Sequence, residues 1–362
     1  MLIISGGGRW LQTVVVCVLC LHAGCSILPV EMVIVNGKSL QGRADIPVIK
    51  PGDERYEEDI YSDNWNYGGQ IHWGREQESD YRVKYHPSYS QNHYMVVEGK
   101  LSNGRTYPVV LDTGASPALF VNDIHILENK SPIYPLKPGG SQSVGWGICH
   151  LPELSIGGMT LVDWPCFYRE QHAEVRLFGL PVARDRAIIA GLPALRRFKY
   201  VVFDSVNREV GFSLDEAFEP GRSEQWSQYP LVIEEGLGGN DFIFVRIPIA
   251  GEEMELQLDT GSGRGLAIGG NLWEKIRCKI GGAKLRKGQD LYPYIGWLDC
   301  ERATILNLQV GNRIVRNAKI SIFPNDSPLL DGSEGLLGME YFRDTAMVLD
   351  FGRNLMWVKN LQ

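Results

Sequence analysis

The chain has 362 residues, 44% of them hydrophobic and 22% charged, with 41 Gly, 19 Pro and a formal net charge of −7. That length exceeds one core and points to two globular units plus an additional segment, and the composition excludes a disordered or fibrous chain. The acidic balance argues against binding a phosphate backbone, which needs a cationic face, so no nucleic-acid partner is expected.

The first 24 residues carry one charge, Arg9, followed by an apolar run from Trp10 to Leu21 that ends in His22-Ala23-Gly24-Cys25. The run is too short to span a bilayer comfortably and reads as a signal peptide over 1–24. Ala23 and Gly24 directly before Cys25 resemble a bacterial lipobox. The resemblance implies cleavage, lipidation of Cys25 and an exported protein tethered to a membrane face, towards the periplasm or the cell exterior. His22 stands where that pattern prefers an aliphatic residue, so ordinary signal cleavage with an incidental Cys25 stays open. Beyond residue 24, 35 basic residues face 43 acidic ones, a net of −8. Residues 25–91 have no counterpart later in the chain. They contain an expected strand at Met32 to Val35 and an acidic, Tyr-rich stretch from Asp53 to Tyr67. They read as a spacer, as a strand added to the first lobe, or as a covering pro-segment.

From there the chain repeats itself. Met95 to Asp112 (MVVEGKLSNGRTYPVVLD) matches Phe242 to Asp259 (FIFVRIPIAGEEMELQLD) without a gap, at an offset of 147. Each alternates apolar and polar residues around a central Gly, the pattern of a β-hairpin that leads into an Asp-Thr-Gly turn. Downstream, each copy has a Gly-Trp pair (Gly145-Trp146 and Gly296-Trp297), then an apolar hairpin turning near Gly157-Gly158 or Gly311-Asn312. Each closes on an apolar strand, a Gly turn, a short amphipathic helix and a strand ending in Asp, at 187–204 and 334–350. The expected organisation is a first lobe over 92–214, a polar linker over 215–228 containing Pro220-Gly221, and a second lobe over 229–362.

The motifs VVLDTGAS (109–116) and LQLDTGSG (256–263) each place an acid at the end of an apolar strand, which buries the carboxylate on a cleft floor. Gly114 and Gly261 let the backbone turn and approach closely. Thr113 and Thr260 have hydroxyls that reach the opposite loop. Two carboxylates about 3 Å apart cannot both ionise, so Asp112 and Asp259 share one proton and provide an acid and a base. That pair can activate a water for attack on a carbonyl while stabilising the oxyanion, with no metal or cofactor. No His-Glu-x-x-His or Gly-x-Ser-x-Gly motif offers a rival hydrolase site.

On these motifs each half resembles a retropepsin domain, and the whole chain, over about 92–360, resembles the bilobal pepsin-like aspartic proteases. The resemblance implies an all-β fold of two pseudo-symmetric barrel lobes with short helices. It also implies a catalytic pair formed by Asp112 and Asp259, and a closing element at Gly335-Leu336-Leu337-Gly338. Ala115 follows the first motif as in retroviral enzymes; Ser262 follows the second as in pepsin-like ones and can donate to Asp259. The spacing from Gly191 to Asp204 is one residue longer than from Gly338 to Asp350, which suggests a bulged turn near Leu192-Pro193 that could distort the support beneath Asp112.

Trp146 and Trp297 fall where flap tips are expected, to cover a peptide or simply to pack on the hairpins. Cys149 and Cys166 are symmetric about the Gly157-Gly158 turn and should face each other, which suggests one disulfide and leaves Cys278 with Cys300 for another; a Cys149–Cys300 bridge is the alternative. The histidines are scattered without metal-ligand spacing. The expected activity is hydrolysis of extended peptides or proteins in the interlobe cleft of a monomer. The alternatives are an inactive peptide-binding module and a zymogen whose residues 26–91 cover the cleft, with Lys50 or Lys84 neutralising the acids.

Overall fold

The computed structural model describes residues 30–36, 40, 42–50, 52–54, 68–73, 80–86, 95–136, 146–177, 179–221, 225–235, 241–280, 283–292, 296–330 and 333–360. The expected signal segment and Cys25 lie outside them. The fold is the expected all-β, two-lobed one. Three strands precede the repeat: β1 (Val30–Asn36), β2 (Gln70–Trp73) and β3 (Asp80–Lys84). The first half continues with β4 (Val96–Leu101), β5 (Thr106–Asp112), β6 (Leu119–Asn122), a helix (Asp123–Asn129), β7 (Ile133–Leu136), β8 (Trp146–Ile156) and β9 (Met159–Arg169). It closes with β10 (Gln171–Leu177), β11 (Leu180–Arg184), β12 (Ile188–Gly191), a helical turn (Leu192–Leu195), β13 (Tyr200–Asp204) and β14 (Glu209–Ser213). The second half has β15 (Trp226–Glu235), β16 (Asp241–Ile249), β17 (Glu252–Asp259), β18 (Leu266–Gly269), a helix (Gly270–Arg277), β19 (Arg286–Tyr292) and β20 (Gly296–Val310). It ends with β21 (Arg313–Phe323), β22 (Gly335–Gly338), a 3-10 turn (Met339–Phe342), β23 (Ala346–Asp350) and β24 (Leu355–Lys359).

The repeat in sequence is a repeat in wiring. In the first half β5 runs antiparallel to β4 and parallel to β12, with Gly191 opposite Asp112; β12 pairs antiparallel with β6, and β6 parallel with β9. In the second half β17, β16, β22, β18 and β21 repeat those pairings, with Gly338 opposite Asp259. Each acid-bearing strand is therefore internal, flanked by two ladders, and its apolar side chains are buried: Val109, Val110 and Leu111 in β5, Leu256 and Leu258 in β17. The long hairpins β8–β9 and β20–β21 turn at Gly157 and Gly311, whose φ values of 59° and 58° favour glycine.

The halves share a sheet. β13 pairs antiparallel with β23, from Tyr200 opposite Asp350 to Asp204 opposite Ala346, which gives the strand order β15-β24-β23-β13-β14-β3 across the join. The early strands sit on sheet edges: β3 against β14, β2 against β9, and β1 against β10. Lys84 spends its charge on Glu209, at 2.8 Å.

The extra residue of the first half is not where the spacing suggests. Leu192 N–H donates to Ala115 O at 2.9 Å and Met339 N–H to Ser262 O at 2.8 Å, equivalent bonds that leave no bulge at Leu192-Pro193. The first half then closes an α turn, Arg196 N–H to Leu192 O at 2.9 Å, where the second half has the tighter 3-10 turn. The wider turn and the following Arg196–Lys199 segment absorb the residue, away from Asp112.

Candidate active site

Asp112 and Asp259 end β5 and β17, and the loops that follow exchange hydrogen bonds across the pseudo-twofold. Thr113 N–H donates to Thr260 Oγ1 at 2.9 Å, and Thr260 N–H donates to Thr113 Oγ1 at 3.0 Å. Each hydroxyl then donates back into the opposite strand: Thr113 to Leu258 O at 2.5 Å, Thr260 to Leu111 O at 2.8 Å. Both threonines are buried. The four bonds join each loop to the carbonyl preceding the other acid, so neither Asp can move without the other.

The glycines make room for the acids. A Cβ on Gly261 would lie 2.2 Å from Asp112 Cγ, and one on Gly114 would lie 3.0 Å from Asp259 Cγ. Gly114 N–H also donates to Asp112 Oδ1 at 2.9 Å. With the backbones this close, the two carboxyl groups act on each other's titration. Desolvation pushes Asp112 above the ordinary carboxylate range, opposed by its hydrogen bond with Asp259 and by the N–H groups of Gly114 and Gly261. Asp259 is held well above that range, by desolvation first and then by the charge of Asp112 and the hydrogen bond between them. The two titrations are linked and belong to the pair.

Three solved structures align with most of the chain. An aspartic proteinase from Irpex lacteus aligns with a TM-score of 0.48 at 11% identity, over 78% of this chain and 98% of that one. The protein named edgp aligns at 0.45 and 10% identity, over 78% and 95%. Basic 7S globulin from soybean aligns at 0.40 and 11%, over 81% and 97%. No protein-family model and no curated protein sequence matches the chain.

Among the other residues singled out from sequence, Ser262 contributes differently from the expectation. Its backbone N–H, not its hydroxyl, acts on the Asp259 carboxyl group, while the hydroxyl accepts from Arg264 N–H at 3.3 Å. Trp146 begins β8 and packs on Phe167, ring centroids 5.1 Å apart, whereas Trp297 is the second residue of β20 and is 61% exposed. The turns preceding them, 137–145 and 293–295, lie outside the described residues.

The disulfides are corrected. Cys149 and Cys166 do sit directly opposite each other in the β8–β9 ladder, but both are free thiols, as are Cys278 and Cys300. The Cys166 thiol keeps its hydrogen and donates it to Trp164 O at 3.4 Å. Burial raises the Cys166 thiol well above its usual range, which suits a thiol in the core. Cys278 is exposed at the end of the helix Gly270–Arg277, while Cys300 is buried in β20 beside Arg302 and Asp290.

Two polar clusters carry no sequence motif. Arg196, after the helical turn of the first half, reaches the buried Asp241 at the start of β16, as well as Glu235 at 3.5 Å, and so ties the halves. Asp290, fully buried in β19, accepts from Arg264, Arg302 and Ser321. Their members are 26, 12 and 31 residues from Asp290, without a period that would group them.

Proposed function

We propose that the chain is an aspartic endopeptidase, in which Asp112 and Asp259 activate one water against the carbonyl of an extended peptide. The observation that carries this reading is the pair of buried carboxyl groups on two loops locked by the crossed threonines, each packed against the glycine that follows the other acid and raised above the usual carboxylate range by desolvation. Among the described residues neither acid forms an ion pair with Lys, Arg or His.

The chemistry follows from the single shared proton. The ionised carboxylate accepts a proton from the water as its oxygen bonds to the carbonyl carbon, and the protonated carboxyl donates to the carbonyl oxygen as charge develops there. The resulting diol collapses by breaking the C–N bond, with a proton delivered to the leaving nitrogen; one water is consumed and one acid and one amine are released. Binding the peptide across both lobes converts the attack into a local event.

In this reading residues 92–214 and 229–362 are two retropepsin-type lobes fused in one chain, acting as a monomer. The apolar run Trp10 to Leu21 before Cys25 supports an exported, lipid-anchored enzyme. Incorporation of a palmitate analogue that persists after Cys25→Ala would sink that last part.

The decisive experiment is a peptide-library digest across pH with the purified mature chain, with Asp112→Asn and Asp259→Asn as controls. Hydrolysis by the wild type and its loss in both variants is expected. Undiminished hydrolysis in either variant, or a wild type that binds peptides without cutting them, refutes the assignment.

A further inference from the structure

On the second-half side of the acid pair, two guanidinium groups converge on one carboxylate. Asp290 accepts from Arg264 Nη1 at 2.6 Å, and from Arg302 and the Ser321 hydroxyl. One carboxylate balances one guanidinium, so the cluster keeps an excess positive charge in a chain that is acidic as a whole. The side chains of Arg264 and Arg302 remain 41% and 48% exposed, while Asp290 is sealed at 0%. The buried partner is therefore unavailable to solvent, and the N–H groups it leaves unused are not.

The cluster is built rather than incidental. Arg302 lies flat across Gly288, where an added Cβ would come within 3.0 Å of Nε and 3.2 Å of Cζ. Arg264 is five residues beyond Asp259 in the same loop, and its carbonyl accepts from Glu340 N–H at 3.1 Å, which fixes its backbone to the turn after β22. Tyr292 lies beside the cluster. The Arg264 guanidinium is 5.9 Å from the Tyr292 ring centroid. Among the described residues the buried Tyr292 hydroxyl has no hydrogen-bond partner; burial raises it, and the charges of Arg264, Asp290 and Asp259 act on it in that order. At the offset of 147, Pro117 occupies the place of Arg264, so the first half has no equivalent charge there.

We infer that Arg264 and Arg302 form a subsite for an acidic side chain, Asp or Glu, of the peptide substrate, on the second-half side of the cleft. The inference rests on the endopeptidase reading for the identity of the ligand as a substrate. Guanidinium forks match a carboxylate in geometry as well as charge. Because Asp290 already fixes both forks, binding costs little side-chain freedom. A lysine at the same substrate position is repelled, so the subsite selects by sign.

The test uses matched peptides that differ only in Glu, Gln or Lys at each position around the cleaved bond. It measures kcat/KM with the wild type and affinity with the Asp259→Asn protein. At one position Glu should exceed Gln by about tenfold, the effect of one charge-assisted contact, and the preference should shrink between low and high salt. In Arg302→Gln the Glu-to-Gln ratio should approach one, while Arg302→Lys keeps most of it; Arg264→Gln, with melting curves for all variants, guards against misfolding. A ratio untouched by Arg302→Gln and Arg264→Gln in folded protein, or no position that prefers Glu, overturns the subsite. Hydrolysis without preference defeats the subsite alone. Arg302-dependent preference in binding to the Asp259→Asn protein, with a wild type that cuts nothing, defeats the endopeptidase reading alone.

Discussion

Replacing Thr260 with the isosteric Val removes one hydroxyl and leaves the shape of the loop. Two bonds go with it: the donation to Leu111 O at 2.8 Å, and the acceptor for Thr113 N–H at 2.9 Å. Thr260 is 0% and Thr113 1% exposed, so water does not replace the lost partners. An unpaired buried polar group costs about 1–3 kcal/mol, which puts the pair at roughly 2–6 kcal/mol. At about 2–4 °C per kcal/mol for a protein of several hundred residues, a central value of about 4 kcal/mol lowers the melting midpoint by roughly 8–16 °C. Thr260→Ser keeps the hydroxyl and forfeits about one methyl group of burial, roughly 1 kcal/mol. Differential scanning calorimetry on the three proteins reads these differences directly, and hydrolysis should fall in the same order. A Thr260→Val protein that melts within 1 °C of the wild type, or a Thr260→Ser protein that loses as much as Thr260→Val, refutes the claim that the crossed hydroxyls hold the two loops.

Asp259→Asn should abolish hydrolysis yet raise the melting midpoint at neutral pH. Because Asp259 is held well above the ordinary carboxylate range in the fold, its contribution to stability is present at acid pH and is lost as pH rises through the folded value. The amide has no such loss, so the gap between variant and wild type should widen from pH 4 to pH 7; a gap that narrows counts against a desolvated, proton-sharing pair. Arg196→Ala leaves the Asp241 carboxylate, 1% exposed, without its guanidinium partner across the join. Breaking such a pair costs about 3–5 kcal/mol, and a further Asp241→Asn change should recover part of it. Urea denaturation of the single and double variants measures both, and a loss below about 1 kcal/mol in Arg196→Ala would show that the contact is incidental.

The acid pair was legible in the sequence because its chemistry is local: Asp-Thr-Gly follows an apolar strand twice, at one offset, and the crossed threonine bonds follow from superposing the copies. The facing of Cys149 and Cys166 was legible for a similar reason, since a hairpin turning at Gly157-Gly158 fixes its own register. The absence of a bond between them was not, because register brings two residues opposite each other without setting the angle between their thiols. The extra residue before Asp204 was counted correctly and placed wrongly, as helical turns of different pitch absorb a residue without any signal in composition. The Asp290 and Arg196 clusters were illegible because each is assembled from strands that meet only in the fold.

The ladder between β13 and β23 also sets how the cleft can change width. Two lobes joined by a flexible linker could swing apart as rigid bodies about a hinge, but here five residues of each half pair with five of the other in one sheet. A sheet resists stretching across its ladders and yields more readily to changes in twist. Relative motion of the two halves is therefore a torsion about that ladder rather than the opening of a hinge.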